Sequence, residues 1–264
     1  MGQNLRQSHI RILLKFYKIS LKKYIIPLLL CASFYVSAQS ALTAQSWLVA
    51  DGDGVILEGL HTTDIRSIAS ITKLMTSMVV LDSGQSLSEK ITKKLYNRIF
   101  TRQELLNLAI VKSDNNAAKM LCEYYPGGIK NCVEAMNSKA RTLEMNNSTF
   151  TDPTGLYNTN VSTAEDLIKL VMAAKNYPTI VDASNTSTIQ WQINKKKYAI
   201  FHNTNRLVGT GIDFIVSKTG WITASGGCIV MMLKGEQGIR TVVLLGSKNI
   251  KTRIPEAYMV SKLH

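Results

Sequence analysis

Segments with the residue pattern of strands stand at both ends of this 264-residue chain, and a helix-like stretch separates them. Near the start, Ser46–Ala50 and Val55–Leu60 flank the turn residues Asp51–Gly54, which is typical of a hairpin. Strand-like runs return at positions 188–194, 197–201, 212–219, 228–233 and 239–245. This order predicts an α/β protein in which strands from both ends form one antiparallel sheet. A helical lobe, about residues 84–178, is inserted between them.

Start and stop signals define the helices. Thr101 and Glu104 form a capping-box pattern, and Ser162 with Glu165 predicts the start of a helix that ends at Asn176–Pro178. Other helices are predicted from apolar periodicity, at residues 116–124 and 129–141, from Ser70 onward, and at 254–263.

The first 38 residues differ in composition from the rest. Six basic residues and no acidic one precede an apolar run, Tyr24–Val36, and the small residues Ser37 and Ala38 follow. This pattern predicts a signal peptide at 1–38 that is cleaved after Ala38, and therefore a periplasmic or other extracytoplasmic location. An uncleaved anchor is the alternative, although the run is short for a stable span and contains Pro27.

Cleavage would leave a catalytic domain at residues 39–264 with little or no membrane contact. It would also lower the formal net charge from +13 to +7, since 25 basic and 18 acidic residues remain. No aromatic and basic residues interleave as in nucleic-acid binding proteins, so a nucleic-acid partner is not expected. No Cys/His cluster has the spacing of a metal site, and no metal or cofactor is predicted.

Three cysteines remain in the predicted mature chain. Cys122 and Cys132 flank a Gly127–Gly128 turn, and whether they pair stays open. Cys228 lies in an apolar strand pattern, which favours a small buried side chain.

Ser70 and Lys73 are the first candidate catalytic pair. Positions i and i+3 of a helix lie on nearly the same face, so the lysine can take the proton of the serine hydroxyl once it is neutral. An S-x-x-K pattern is not specific alone, as Ser20 and Lys23 show within the predicted signal peptide. The buried helix that follows Ser70 distinguishes the second occurrence.

Two further short motifs follow in order. Ser113-Asp-Asn115 lies between two predicted helices, where Ser113 can relay a proton and the Asn115 amide can bind a substrate carbonyl and Lys73. The segment Lys218-Thr219-Gly220 ends a predicted strand, where the lysine supplies a cation and the glycine lets a ligand approach. One ordered set on a helix, a loop and a strand predicts a single serine-acylation site.

With these motifs the chain resembles low-molecular-mass penicillin-binding proteins of the D-alanyl-D-alanine carboxypeptidase and endopeptidase family. The resemblance covers roughly residues 42–260 and extends to the segments 68–75, 150–156, 160–167 and 202–207. It implies a β-lactamase/transpeptidase-like fold, with a five-stranded antiparallel sheet flanked by helices. It also implies peptidoglycan peptide stems as the substrate and β-lactams as covalent inhibitors.

The resemblance further implies a mechanism. Ser70 would attack the carbonyl of a D-Ala peptide bond with Lys73 as base, and water would hydrolyse the acyl-enzyme. The backbone N–H groups of Ser70 and Trp221 would bind the oxyanion. Arg253 is the positional match for an arginine that binds the terminal carboxylate. The chain stops at His264 without the family's C-terminal β-domain, which favours the short branch resembling murein D,D-endopeptidases.

Two other functions are compatible with parts of this pattern. A class A β-lactamase needs a glutamate with an asparagine four residues later, whereas Glu165 is followed by Lys169. A binding or sensor module would be acylated without hydrolysing peptides, but the complete set of motif residues argues against it.

Overall fold

A computed structural model describes residues 42–194, 197–236 and 238–262. The predicted signal peptide and its cleavage position lie outside these residues. The main sheet has five strands in the order β2-β1-β11-β10-β9, and every neighbouring pair is antiparallel. Its strands are β1 (Ser46–Asp51), β2 (Ile56–Leu60), β9 (Phe214–Ile222), β10 (Gly226–Gly235) and β11 (Gly238–Ser247). The predicted joining of both chain ends in one sheet is therefore confirmed.

Seven α-helices pack around this sheet within the described residues. They are α1 (Thr72–Asp82), α2 (Arg102–Asn107), α3 (Asn115–Glu123), α4 (Gly128–Thr142), α5 (Ala164–Ala174), α6 (Pro178–Asn185) and α7 (Arg253–Val260). A 3-10 turn, Ala69–Ile71, leads into α1, and a π-helical turn, Leu108–Lys112, follows α2. The predicted capping box is present: the Thr101 side chain binds the backbone N–H of Glu104, and Glu104 binds that of Thr101.

Helix α1 lies at the centre of the molecule. Nine of its eleven residues are buried, because apolar and small side chains occur on every face rather than on one stripe. Most of its apolar residues join those of β10, β11 and α5 in one core cluster. The residues at the start of this helix are therefore held on several sides.

The lobe at 84–178 is not wholly helical. It contains the hairpin β4 (Lys90–Leu95) and β5 (Arg98–Thr101), and β6 (Val161–Ser162), which pairs with β3 (Arg66–Ser67). The predicted start of α5 at Ser162 is wrong by one residue, because the Thr163 side chain caps the helix by accepting from Asp166 N–H.

The segment before the last three strands also differs from expectation. Strands β7 (Thr188–Asn194) and β8 (Lys197–His202) form the predicted hairpin, but they make a separate two-stranded sheet. Pro178 was expected only to end a helix, and it also occupies the first turn of α6.

Cys122 and Cys132 form a disulfide between α3 and α4, and Cys228 is a buried free thiol. Within the described residues, none of the helices has the length and apolar character needed to cross a membrane.

Candidate active site

Ser70 lies in the 3-10 turn that precedes α1, at the wall of a cleft of about 210 Å³. The turn is closed by a hydrogen bond from Thr72 Oγ1 to the Ala69 carbonyl, 2.7 Å long. Two glycines pack against it from other parts of the chain. A Cβ on Gly155 would lie 1.9 Å from Ala69 O, and one on Gly220 would lie 3.0 Å from Ser70 N. The serine backbone is therefore enclosed by segments that only glycine lets approach so closely.

Lys73 lies one helical turn after Ser70 and is fully buried. Its Nζ atom is 2.8 Å from Ser70 Oγ, 2.7 Å from Asn115 Oδ1 and 2.6 Å from Thr154 O. The amide and peptide carbonyl oxygens can only accept hydrogen bonds, whereas the serine hydroxyl can donate. A neutral Lys73 amine that keeps its two hydrogens on those acceptors therefore directs its lone pair at the Ser70 hydroxyl.

The environment favours this neutral form. Burial lowers the pKa of Lys73 from 10.5 to about 7, although Asp152 and Asp114 oppose that change with their negative charge. A substantial fraction of the molecules then has an unprotonated Lys73 near neutral pH. This is the requirement for a lysine that acts as general base.

Ser113 and Asn115 reach the cleft from the turn between α2 and α3. The π-helical turn ends at Ser113, whose backbone is left-handed with φ of 59°, and α3 begins at Asn115. Between them, Asp114 caps α3 by accepting from Ala117 N–H at 2.9 Å. The reversal at Ser113 allows two residues of one short motif to face the same cleft.

Strand β9 contributes the opposite wall. Lys218 is buried, and its Nζ atom lies 2.7 Å from Ser113 Oγ and 2.8 Å from Thr219 O. Burial, followed by the positive charges of Lys73 and Arg253, lowers the pKa of Lys218 well below its usual value. Thr219 and Gly220 line the cleft directly. Ser70, Ser113 and Asn115 therefore line one cleft, and Lys218 contacts that cleft through Ser113.

Arg253 and Trp221 complete the set of residues expected from the sequence. Arg253, the first residue of α7, is 5% exposed and donates from Nη1 to Gly220 O at 2.7 Å. It lines the cleft, whereas a solvated surface arginine would not. Trp221 lies at the rim with 46% of its side chain exposed.

The cleft contains basic groups and has an apolar rim. None of the described residues that line it is acidic, while Arg253 faces it and Lys73 and Lys218 lie behind it. Leu156, Trp221 and Ile250 also line it, and each is about half exposed. This arrangement suits a ligand that has both a carboxylate and aliphatic groups.

Some contributors were not identified as site residues from the sequence. Thr154 supplies a backbone carbonyl to Lys73, and Thr204 contacts Thr219 between hydroxyl groups at 2.7 Å. Leu156 and Ile250 line the rim. Thr154, Leu156 and Thr204 lie in the segments 150–156 and 202–207 that carry the family resemblance, which was the available signal. No group of His, Cys, Asp and Glu in the described part of the chain is arranged to bind a metal ion.

Comparison with known proteins identifies the family of the chain. Residues 33–249 match the peptidase S11 family, described as D-alanyl-D-alanine carboxypeptidase. The chain is 40% identical over 216 residues to the D-alanyl-D-alanine endopeptidase of Escherichia coli strain K12, covering 73% of this chain and 70% of that protein.

Two solved structures share the fold. One is the Streptomyces K15 DD-transpeptidase, with a TM-score of 0.76, 24% identity, and coverage of 83% of this chain and 96% of that chain. The other is penicillin-binding protein D2 of Listeria monocytogenes in an ampicillin-bound form, with a TM-score of 0.73, 23% identity and the same coverage. The predicted β-lactamase/transpeptidase-like fold is confirmed. The chain is therefore a serine D-alanyl-D-alanine peptidase that belongs to the peptidase S11 family.

Proposed function

We propose that the protein cleaves peptidoglycan cross-links as a D,D-endopeptidase outside the cytoplasm, and that it also releases terminal D-Ala as a carboxypeptidase. The observation that carries the catalytic part is the 2.8 Å separation of Lys73 Nζ and Ser70 Oγ at a buried lysine. The endopeptidase preference is supported by the activity named for the Escherichia coli relative.

The reaction begins when Ser70 Oγ bonds to the scissile carbonyl carbon and its proton passes to neutral Lys73. The backbone N–H groups of Ser70 and Trp221 bind the oxyanion as the tetrahedral intermediate forms. The C–N bond then breaks, and the departing amine receives, through Ser113, the proton that Lys73 took from Ser70, so Lys73 is neutral again. Ser113 is held in place by Lys218 at 2.7 Å. In the second half, water adds to the carbonyl carbon of the Ser70 ester and loses a proton to Lys73. The ester C–O bond then breaks, Ser70 Oγ takes that proton back from Lys73, and the acid leaves.

Charge selects the substrate. Both kinds of D,D-substrate have a carboxylate on the residue after the scissile bond, which is a terminal D-Ala or the D-centre of a cross-linking diamino acid. Arg253 supplies a cation for that carboxylate, while Lys218, Thr219 and Asn115 supply hydrogen-bonding groups. The exposed side chains of Leu156, Trp221 and Ile250 suit the aliphatic stem of the partner peptide.

β-Lactams place a carboxylate and a strained amide in the same relation, so we expect them to acylate Ser70. The ampicillin-bound form of the Listeria structure supports this expectation. A β-lactamase activity is not favoured, because Glu165 binds Thr62 at 2.6 Å and is not among the residues that line the cleft.

The test is digestion of purified cross-linked peptidoglycan by the protein, followed by separation of the muropeptides. We expect cross-linked dimers to disappear, with D-Ala released from pentapeptide stems as a second product. Ser70→Ala is expected to abolish both reactions and labelling by a fluorescent penicillin. Release of D-Ala with intact dimers would overturn the endopeptidase assignment, labelling of the Ser70→Ala variant would overturn the nucleophile, and rapid nitrocefin turnover would indicate a lactamase.

A further inference from the structure

Tyr96 connects the β4–β5 hairpin to the turn that contains Ser113 and Asn115. It lies between the two strands in a left-handed backbone conformation, with φ of 51°. Its hydroxyl donates to Asp114 Oδ2 and accepts from Lys112 Nζ, and Lys112 Nζ also lies 2.9 Å from Asp114 Oδ2. Tyr96, Lys112 and Asp114 therefore form a closed triangle beside Ser113 and Asn115.

Aromatic packing holds this triangle in place. The Tyr96 ring lies 5.3 Å from that of Phe201 and 6.0 Å from that of Trp191, so the β7–β8 hairpin supports it. The Lys112 ammonium lies 4.5 Å above the Tyr96 ring and 4.3 Å above that of Phe201. These contacts fix the lysine next to Asp114 better than an ordinary surface ion pair would.

Asp114 bears a charge that affects the catalytic base. Its side chain is 5% exposed, and its negative charge is one of two that raise the pKa of Lys73. The other comes from Asp152, in the segment after α4. Lys218 of β9 and Arg253 of α7 are the basic residues at the same cleft.

The triangle also keeps Asp114 ionised. Despite its burial, hydrogen bonds from Tyr96, from the Ala117 backbone and from Lys112 lower the pKa of Asp114. Burial and the Asp114 contact raise the pKa of Tyr96, so its hydroxyl keeps its proton and remains a donor. Arg98, the other cation near this cluster, is paired with Glu104 at 2.5 Å.

We propose that Tyr96 and Lys112 are positioning residues of the catalytic site, which bind the Asp114 carboxylate and offset part of its negative charge at the Lys73 amine. The inference rests on the proposed acylation of Ser70 with Lys73 as base. Without the pair, the Asp114 charge favours the ammonium form of Lys73, and a smaller fraction of the enzyme can attack at a given pH.

The experiment measures the second-order rate of acylation by a fluorescent penicillin across pH, for the wild type and Tyr96→Phe. We expect the acidic limb of the pH–rate profile, where the rate rises with pH, to lie about half a pH unit higher in the variant than in the wild type. The acylation rate of the variant should be about threefold lower near pH 6 and equal to that of the wild type near pH 9. Lys112→Met should shift the limb further in the same direction. The shifts should shrink in about 1 M salt, because Lys112 is partly exposed.

Tyr124→Phe is the matched control. Tyr124 contacts the same hairpin through Thr92 at 2.9 Å and the Lys93 backbone at 3.2 Å, so its variant loses comparable hydrogen bonds. Its acylation profile should equal that of the wild type. If the acidic limb shifted as much in Tyr124→Phe as in Tyr96→Phe, the shift would come from general loosening of the hairpin, and the inference would be overturned.

Asp114→Asn tests the route through the carboxylate. Asparagine also caps helices, so α3 keeps its start. We expect the acidic limb to move to lower pH, and Tyr96→Phe to add no further shift in this background. Equal shifts in both backgrounds, or an unchanged limb in Tyr96→Phe, would overturn the inference. Acylation that survives Ser70→Ala would instead overturn the proposed function.

Discussion

Lys73 combines two properties that ordinarily conflict in a lysine. It is buried, which disfavours its charge, and it has three close polar neighbours, which limit the cost of burying its nitrogen. Two of those neighbours, Asn115 Oδ1 and Thr154 O, can only accept hydrogen bonds, so they bind the two N–H groups of the neutral amine. The lone pair of the amine is then free to accept the proton of the Ser70 hydroxyl. The site is therefore arranged for one proton transfer before any substrate arrives.

The pH dependence of acylation follows from this lysine. In the proposed mechanism only neutral Lys73 accepts the serine proton, so the rate should rise as pH increases through about 7, the value to which burial lowers its pKa. Stopped-flow labelling with a fluorescent penicillin would measure this rise of the acylation rate with pH. A midpoint near the ordinary pKa of lysine, or a rate independent of pH, would contradict Lys73 as the base.

Arg253 should matter in proportion to the charge of the substrate. Arg253→Gln removes the cation but keeps a hydrogen-bonding group, and we expect kcat/KM for a peptide ending in D-Ala carboxylate to fall about 10- to 100-fold. Turnover of the matching peptide amide should change much less. Arg206→Gln, at an exposed position, provides the control. Equal losses for acid and amide would show that Arg253 supports the cleft without binding the carboxylate.

The motif residues were predictable because their chemistry is carried by side chains at set spacings. Thr154 contributes only its backbone carbonyl, which leaves no trace in residue type. Ile250 reaches the rim because of where the chain runs after β11. Such contributions depend on tertiary structure, and sequence spacing does not reveal them.

At the scale of elements, the shape of the site depends on how closely the 151–155 segment approaches the 3-10 turn Ala69–Ile71, the catalytic turn. Asp152 accepts from Thr154 N–H and Gly155 N–H and thereby bends this segment. The bend brings the Thr154 carbonyl to Lys73 and the Gly155 backbone against Ala69. A short irregular segment therefore positions the base as much as the helix does.

Gly155→Ala should separate these elements. Gly155 has a φ of 75°, and its new Cβ would lie 1.9 Å from Ala69 O. We expect loss of about 2–4 kcal/mol of stability, and acylation slower by about tenfold or more, because the serine turn must move. The measurements are denaturant unfolding and penicillin labelling.

Gly84→Ala separates strain from collision. Gly84 has a similar φ of 68°, but no atom lies within 4 Å of the Cβ position. It should cost only about 1 kcal/mol and leave labelling unchanged. Equal effects of the two variants would show that backbone strain alone, and not contact with the catalytic turn, explains the loss.

The elements that sequence reasoning missed share a physical cause. Strand β4 reads Lys-Ile-Thr-Lys-Lys-Leu, and its mostly charged pattern hides a strand whose residues Ile91 and Leu95 alone are buried. The β7–β8 hairpin was predicted, yet its separation from the main sheet follows from packing by Trp191 and Phe201 against Tyr96. The local sequence pattern indicates that a strand forms, whereas the strand with which it pairs is determined by tertiary packing.

At the scale of the whole molecule, the cleft lies where two apolar clusters meet. One contains α1, α5 and the central strands, and the other contains α2, α3 and the β4–β5 hairpin. Ser70 and Lys218 belong to segments of the first, while Ser113 lies on the turn that joins α2 and α3 of the second. Placing the amines of Lys73 and Lys218 at this junction opposes folding, because burial disfavours their charged forms.

Lys73→Met should therefore stabilise the folded protein near neutral pH while abolishing acylation. With a folded-state pKa of about 7 against 10.5 unfolded, the wild type loses on the order of 4 kcal/mol of protonation free energy at pH 7. Unpaired acceptors at Asn115 and Thr154 cancel part of the gain. We expect a net increase of about 1–2 kcal/mol in the free energy of unfolding.

The sign of the pH dependence makes this prediction specific. Between pH 7 and 10.5 the unfolded wild type binds a proton at Lys73 that the folded protein lacks, so its stability rises with pH. The methionine variant lacks this rise, so its stability relative to the wild type should fall by about 3–4 kcal/mol between about pH 7 and pH 10, and the variant becomes the less stable protein at the higher pH. Denaturant unfolding at both pH values measures this gap, the difference in free energy of unfolding between the variant and the wild type.

The control is Lys130→Met, the same substitution at a residue of α4 whose side chain is 86% exposed to water. Its difference from the wild type should not change with pH. A gap that is constant with pH would mean that Lys73 stays charged in the fold and cannot serve as the base.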